Sequence, residues 1–200
     1  MKFAGVFLAL PLAFFGWMWW GTIRVEHELR PVASSIAGHP IQVDCQGWLS
    51  SLVDVEAREG EVHFNANGLP EPRIFLTRPT CKRLDAFTHS RHHAALDCLA
   101  EIDWAQPDPL AHESYHTAGV IEKVTTNCYA IQAIAYVPWR LGAPQREGEL
   151  AAYAMAALEP HQVDGYATPD CRAGTALDIH PETRDFPTEL PLAPPGLPRR

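Results

Sequence analysis

From Phe3 to Ile23 the chain carries no charged side chain and is rich in Phe, Leu and Trp. About 20 consecutive apolar residues, coiled as a helix, cross the hydrocarbon core of a bilayer. The run ends in "WMWWG", whose aromatic residues favour the membrane–water boundary, and the nearest small-residue stretch, "VASSIAG", lies well beyond it. A signal peptide has a shorter apolar core and a small-residue cleavage site close behind it. Residues 1–23 are therefore expected to be an uncleaved transmembrane anchor rather than a cleaved leader or a buried soluble helix. The more polar residues 24–39 read as a juxtamembrane linker.

Short β-like runs follow in "PIQVDCQGWLSSLVDVEA" and "EVHFNANGLPEPRIFLT", separated by Gly, Asn and Pro. Val62 and Phe64 alternate with polar neighbours as on a half-buried strand, and "RIFLT" follows the turn-rich "NGLPEP", so a small antiparallel sheet is expected. From about Thr80 the period becomes helical. "CKRLDAFTHSRHHAALDCLAEIDWA" places Leu84, Phe87, Ala94, Leu96 and Leu99 among polar residues, as two helical pieces broken near Ser90. In "QPDPLAHESYHTAG", Asp108 suits a cap, Pro109 a first helical position and Gly119 a stop. A further helix is predicted from Ile121 to Val137, ended by Pro138, with Val124, Cys128, Ile131 and Ala135 on one face. Another covers "REGELAAYAMAALE", and a Pro-rich tail occupies 181–200. The fold class is α+β: an N-terminal transmembrane helix, then a small antiparallel sheet and a helical subdomain, with the main domain over 40–180.

Composition narrows the function classes. A net charge of −8, with basic residues scattered and mostly beside acids, leaves no Lys/Arg cluster for phosphate neutralisation and argues against nucleic acid as a partner. Lys and Arg flank the apolar run almost evenly, through Lys2 on one side and Arg24 and Arg30 on the other, so charge does not set its orientation. The cysteines do. All five (Cys45, Cys81, Cys98, Cys128, Cys171) follow the run and form no C-x-x-C pair, a spacing better suited to disulfides in an oxidising compartment than to a zinc ribbon. The bulk of the chain is thus expected outside the membrane on the extracytoplasmic side. Position on the chain pairs Cys45 with Cys81 and Cys128 with Cys171, leaving Cys98 free, although spacing alone admits other connectivities. Each such bridge closes a loop for which chain entropy gives roughly 3 to 4 kcal/mol.

The chemistry centres on His112-Glu113-Ser114-Tyr115-His116, the pattern H-E-x-x-H. Residues four apart on a helix share a face, so His112 and His116 can present both imidazoles to one ion. Zinc would lower the pKa of a bound water to around 7, and Glu113, beside that face, would take its proton as the water attacks a carbonyl. The other reading is a solvent-facing helix with two ordinary histidines.

The run "HESYHTAGVIEKVTTNCYAIQ" resembles the zincin metallopeptidases, in particular the gluzincin pattern, and is similar to a group of uncharacterised membrane-anchored bacterial proteins. The resemblance covers about residues 80 to 180 and implies zinc, a peptide or protein substrate, and a third metal ligand from the following helix, usually a Glu in an E-x-x-A context. The matching tetrapeptide here is Asn127-Cys128-Tyr129-Ala130, so Asn127 stands where the resemblance expects Glu. Asn is a poorer zinc ligand than carboxylate, thiolate or imidazole. Glu122 and His180 are other candidates for that place; Glu122 also reads as a first-turn acid favouring the helix dipole. Cys128 is assigned to a disulfide. The expected function is a membrane-anchored, extracytoplasmic zincin-like protein, a zinc-dependent peptidase with a degenerate third ligand. The alternative is a non-catalytic cell-envelope binding protein of the same fold, and a third reading is a small interaction domain with no metal.

Of the remaining histidines, His89, His92 and His93 have no Cys or acid at ligand spacing and read as a polar helix face. His27, His39, His63 and His161 are isolated. Cys98, in an apolar mid-helix setting, reads as a structural thiol. There is no Gly-rich phosphate loop or G-x-S-x-G elbow.

Overall fold

The computed structural model describes residues 4–46, 59–89, 107–142, 168–179 and 181, with side chains from Trp20 onward apart from residues 86–89 and 107–108. The helix expected over 146–159, the Pro-rich tail beyond 181, Cys98, His92, His93, His161 and His180 lie outside the described residues.

The chain opens with a single helix of 34 residues, α1 (Ala4–Ala37). Residues 24–37, read from sequence as a linker, are its second half and belong to the core. Val25, Leu29, Val32, Ala33 and Ala37 recur at helical spacing and are buried, with Ile36 packed alongside. Most of the polar residues between them occupy the other face, which is why the segment looks hydrophilic on average while one face of it is buried. Gly38, at φ +76°, ends the helix with its N–H on the Ser34 carbonyl at 3.0 Å, a left-handed stop open to glycine at little cost. Among the described residues no helix is long and apolar enough to cross a membrane. Residues 3–19 of the apolar run are not among those with described side chains.

Three strands follow: β1 (Gln42–Cys45), β2 (Gly60–Phe64) and β3 (Pro70–Leu76), in the order β1-β3-β2. The sheet is mixed, not antiparallel throughout. β2 pairs antiparallel with β3 across a tight turn in which the Asn65 side chain accepts from the backbone N–H groups of Asn67 and Leu69. β1 runs parallel to β3, placing Val43 opposite Ile74 and Cys45 opposite Leu76. Only a short connection forces antiparallel pairing; the long stretch between β1 and β3 leaves room for a crossover. A register shift between Val62 and Phe64 also breaks the expected alternation, leaving Phe64 exposed while Val62 packs against the core.

Helix α2 (Arg78–His89) follows β3 at once, and α3 (Pro107–Thr117) lies against β2, β3, α1 and α4 (Lys123–Ala133). Helix α3 starts at Pro107, before the expected Pro109. Both prolines fit, because the first-turn N–H groups of a helix have no partner in any case. The helix expected from Ile121 to Val137 is divided: α4 stops at Ala133 and a short α5 spans Tyr136–Arg140, with Pro138 inside it. There Pro138 is again a first-turn residue and costs no hydrogen bond. Leu29, Ile74, Leu76, Leu84 and Leu110 form the centre of the core at full burial.

Two disulfides lock this arrangement, in the pairing expected from the sequence. Cys45–Cys81 ties the end of β1 to α2, and Cys128–Cys171 ties α4 to the segment 168–179. The second bridge is reinforced by Gln132. Its amide donates to the Leu177 carbonyl at 2.8 Å and accepts from the Ile179 N–H at 3.0 Å, holding that segment as a neighbouring strand would.

Candidate functional site

Helix α3 is buried along most of its length: Leu110, Ala111, Glu113, Ser114 and Thr117 are all enclosed. A polar helix can sit in a core only if its hydroxyls are satisfied, and here they bond to their own backbone. Ser114 donates to the Leu110 carbonyl at 2.6 Å and Thr117 to the Ser114 carbonyl at 2.7 Å. His112 and His116 are half-buried on one face, ring centroids 4.7 Å apart and nearly perpendicular.

The turn after α3 fixes one of these rings. Gly119, at φ +94°, lets the chain reverse, with its N–H on the His116 carbonyl and the Val120 N–H on the Tyr115 carbonyl. The reversal brings the Val120 carbonyl to 2.6 Å from His116 Nδ1. A carbonyl can only accept, so Nδ1 carries the proton and a neutral His116 keeps its lone pair on Nε2. Thr126 of α4 donates to the same Val120 oxygen at 3.0 Å, coupling the second helix to the ring.

Electrostatics favours neutral imidazoles. Burial pushes His112 down to about 4, with further lowering from His116 and Lys123. His116 is also lowered, by burial first and by Lys123, against an opposing contribution from its bond to Val120. A neutral imidazole is the form that ligates a metal. Tyr115 meets Tyr129 of α4 edge-on at 5.5 Å, and burial, then Tyr129, raises its phenol to about 12.

Glu113, at 8% exposure, is pressed against β2: a Cβ on Gly60 would come within 2.9 Å of its Cγ and 3.0 Å of Leu76 Cδ2. The requirement at Gly60 is for space rather than for a special backbone angle. Nothing in the sequence marks it, because the contact joins residues far apart in the chain.

On α4, Glu122 is the N-cap. Its carboxylate accepts from the backbone N–H of Thr125 at 2.7 Å and from the Thr125 hydroxyl. Those bonds lower its pKa, and it is fully exposed. Asn127, at 2% exposure, lies within the buried stretch Thr126–Cys128 of the same helix. The structure thus brings His112 and His116 together on one face of α3, with Glu113 turned against β2 and α4 packed beside the helix. Among the described residues no group of three or more His, Cys, Asp and Glu side chains converges as a cation site. The residues present suit two imidazole ligands to a zinc ion and supply no third ionisable one, among the described residues, beside them. His39, given no role from sequence, reaches the Thr117 carbonyl at 3.1 Å and ties the end of α1 to the last turn of α3.

The chain matches no family model, no curated protein and no solved structure.

Proposed function

We propose that the chain is a membrane-anchored, extracytoplasmic zincin-like domain that binds zinc weakly through His112 and His116, with Glu113 as the proton acceptor beside them. The observation that carries this reading is the His116 arrangement: a ring neutralised by burial, its Nδ1 proton held by a backbone carbonyl, four residues from a second lowered imidazole. Metal-ligating histidines characteristically have such an outer partner, which fixes tautomer and ring plane. The uncharged run from Phe3 to Ile23 and the two disulfides support the placement in the membrane with the domain in an oxidising compartment.

Zinc would supply Lewis acidity and a water ionising near neutrality. The chain's own residues orient and neutralise. Val120 and Gly119 hold His116, burial keeps both rings unprotonated, and β2 presses on Glu113. Asn127, in the place where the gluzincin pattern carries Glu, adds an amide in place of a carboxylate and leaves the ion's double charge unneutralised.

Metal analysis of the purified protein should show zinc that is lost in His116→Ala, and Asn127→Glu should tighten zinc about tenfold or more by isothermal titration. No zinc in the wild type would overturn the reading. The Asn127 substitution also favours a second reading, a non-catalytic binding protein of the same fold; a wild-type protein that holds zinc yet cleaves no peptide, while Asn127→Glu gains activity, supports it. Resistance to carbonate extraction from host membranes tests the anchor, and a mature N-terminus near Ser34 or Ala37 would refute it.

A further inference from the structure

A concave site lies away from His112 and His116, where α1, the end of β1 and α2 meet. It is a cavity of about 480 Å³ against the Cys45–Cys81 disulfide, lined among others by Trp20, Arg24, Arg78, Lys82 and Asp85. Its charge runs against that of the whole molecule. The chain has a net charge of −8, yet the pocket gathers three cations and one acid. That acid is already engaged, since Arg24 pairs with Asp85 at 3.1 Å. Among the described residues neither Arg78 nor Lys82 has an ion-pair partner. Two cations with no ion-pair partner among the described residues, side by side at one cavity of an acidic protein, suit it to an anion, and a guanidinium with an ammonium matches phosphate oxygens.

The position says which phosphate. Trp20 and Arg24, four residues apart, share a face of α1 and line the pocket together. Trp20 is 71% and nearby Ile23 47% exposed, an apolar rim in line with the end of the uncharged run. If that run lies in a bilayer, as proposed above, the rim falls at the aromatic boundary layer and the cations at headgroup depth. We infer that this pocket binds the phosphate headgroup of an anionic phospholipid, holding the domain against the surface of the membrane that α1 enters.

The test uses the full chain in an uncharged detergent, with intact mass confirming that residues 1–23 are present. Thermal unfolding is followed with phosphatidylglycerol, phosphatidylcholine or inorganic phosphate. Phosphatidylglycerol at a hundredfold excess over its dissociation constant should raise Tm by about 5 °C. Phosphatidylcholine should do far less, and the rise should vanish in Arg78→Gln/Lys82→Gln but persist in Arg140→Gln. Lys82 is exposed, so Lys82→Gln alone keeps the fold and should show a reduced shift if the double variant unfolds. An equal rise with phosphatidylcholine, an equal rise with inorganic phosphate, or an undiminished rise in the variants overturns the inference. Because the readout is in detergent, it fails independently of the anchor, which carbonate extraction reads.

Discussion

His116 donates its Nδ1 proton to the Val120 carbonyl across 2.6 Å, and Gly119 between them makes the reversal possible. A Cβ at Gly119 would meet nothing within 4 Å, so the demand is on backbone angle alone. Gly119→Ala should cost about 1 to 2 kcal/mol through its left-handed φ. It should also loosen His116, so zinc affinity should fall further in Gly119→Ala than in a surface variant of equal stability loss. Titration calorimetry alongside denaturant unfolding separates the two effects.

Acid should weaken the metal-free protein in a defined window. His112 sits at about 4 in the fold against an ordinary value of 6.5, and His116 is shifted the same way. Between those values the unfolded chain binds more protons than the native one, so stability falls as pH falls through the window and is flat above it with respect to these groups. The loss attributable to His112 should reach about 2 to 3 kcal/mol by pH 4. His112→Gln should flatten the curve; an unchanged slope in chemical unfolding would refute the assignment.

Gly60→Ala places a methyl where Glu113 Cγ and Leu76 Cδ2 already stand. Overpacking of this kind costs about 1 to 3 kcal/mol. Since one of the crowded side chains is the proposed proton acceptor, any hydrolytic activity should drop along with Tm, whereas Gly38→Ala, in open space, should lower Tm alone.

The 168–179 segment should detach in two stages. Removing the bridge with Cys128→Ser/Cys171→Ser should cost about 3 to 4 kcal/mol by the loop-entropy relation. Gln132→Ala should cost about 1 to 3 kcal/mol by stranding the Leu177 carbonyl and Ile179 N–H. Limited proteolysis should reach this segment in the triple variant before the core; protection equal to wild type would sink the claim that these contacts hold it.

Features set by short-range chemistry were legible in the sequence. The H-E-x-x-H helix and its Gly119 stop follow from local periodicity and turn preference; the two disulfides match the expected pairing, although spacing alone admitted others. The parallel pairing of β1 with β3 was not, since nothing local reports which strands meet across a long connection. The second half of α1 was misread although Val25, Leu29, Val32 and Ala33 carry a helical period: its charges and its place after an apolar run outweighed that pattern. Gly60 and the Gln132 clamp act through contacts between distant segments and leave no local mark. For the candidate site, the sequence supplied the two imidazoles and the acid. The Val120 carbonyl that selects the His116 tautomer emerged only from the turn geometry.

Because α1 passes unbroken from Ala4 to Ala37, the apolar run and the core residues Val25 to Ala37 turn as one shaft. A flexible linker would let the domain swivel; a helix transmits both twist and distance. One residue inserted at Thr22 would rotate everything before it by about 100° and displace it by about 1.5 Å relative to the core. Seven inserted residues, close to two full turns, would restore the facing of Trp20 toward Arg24's side while lengthening the shaft by about 10 Å. Function that tolerates seven but not two or three added residues would mean that the domain depends on the direction in which it is held.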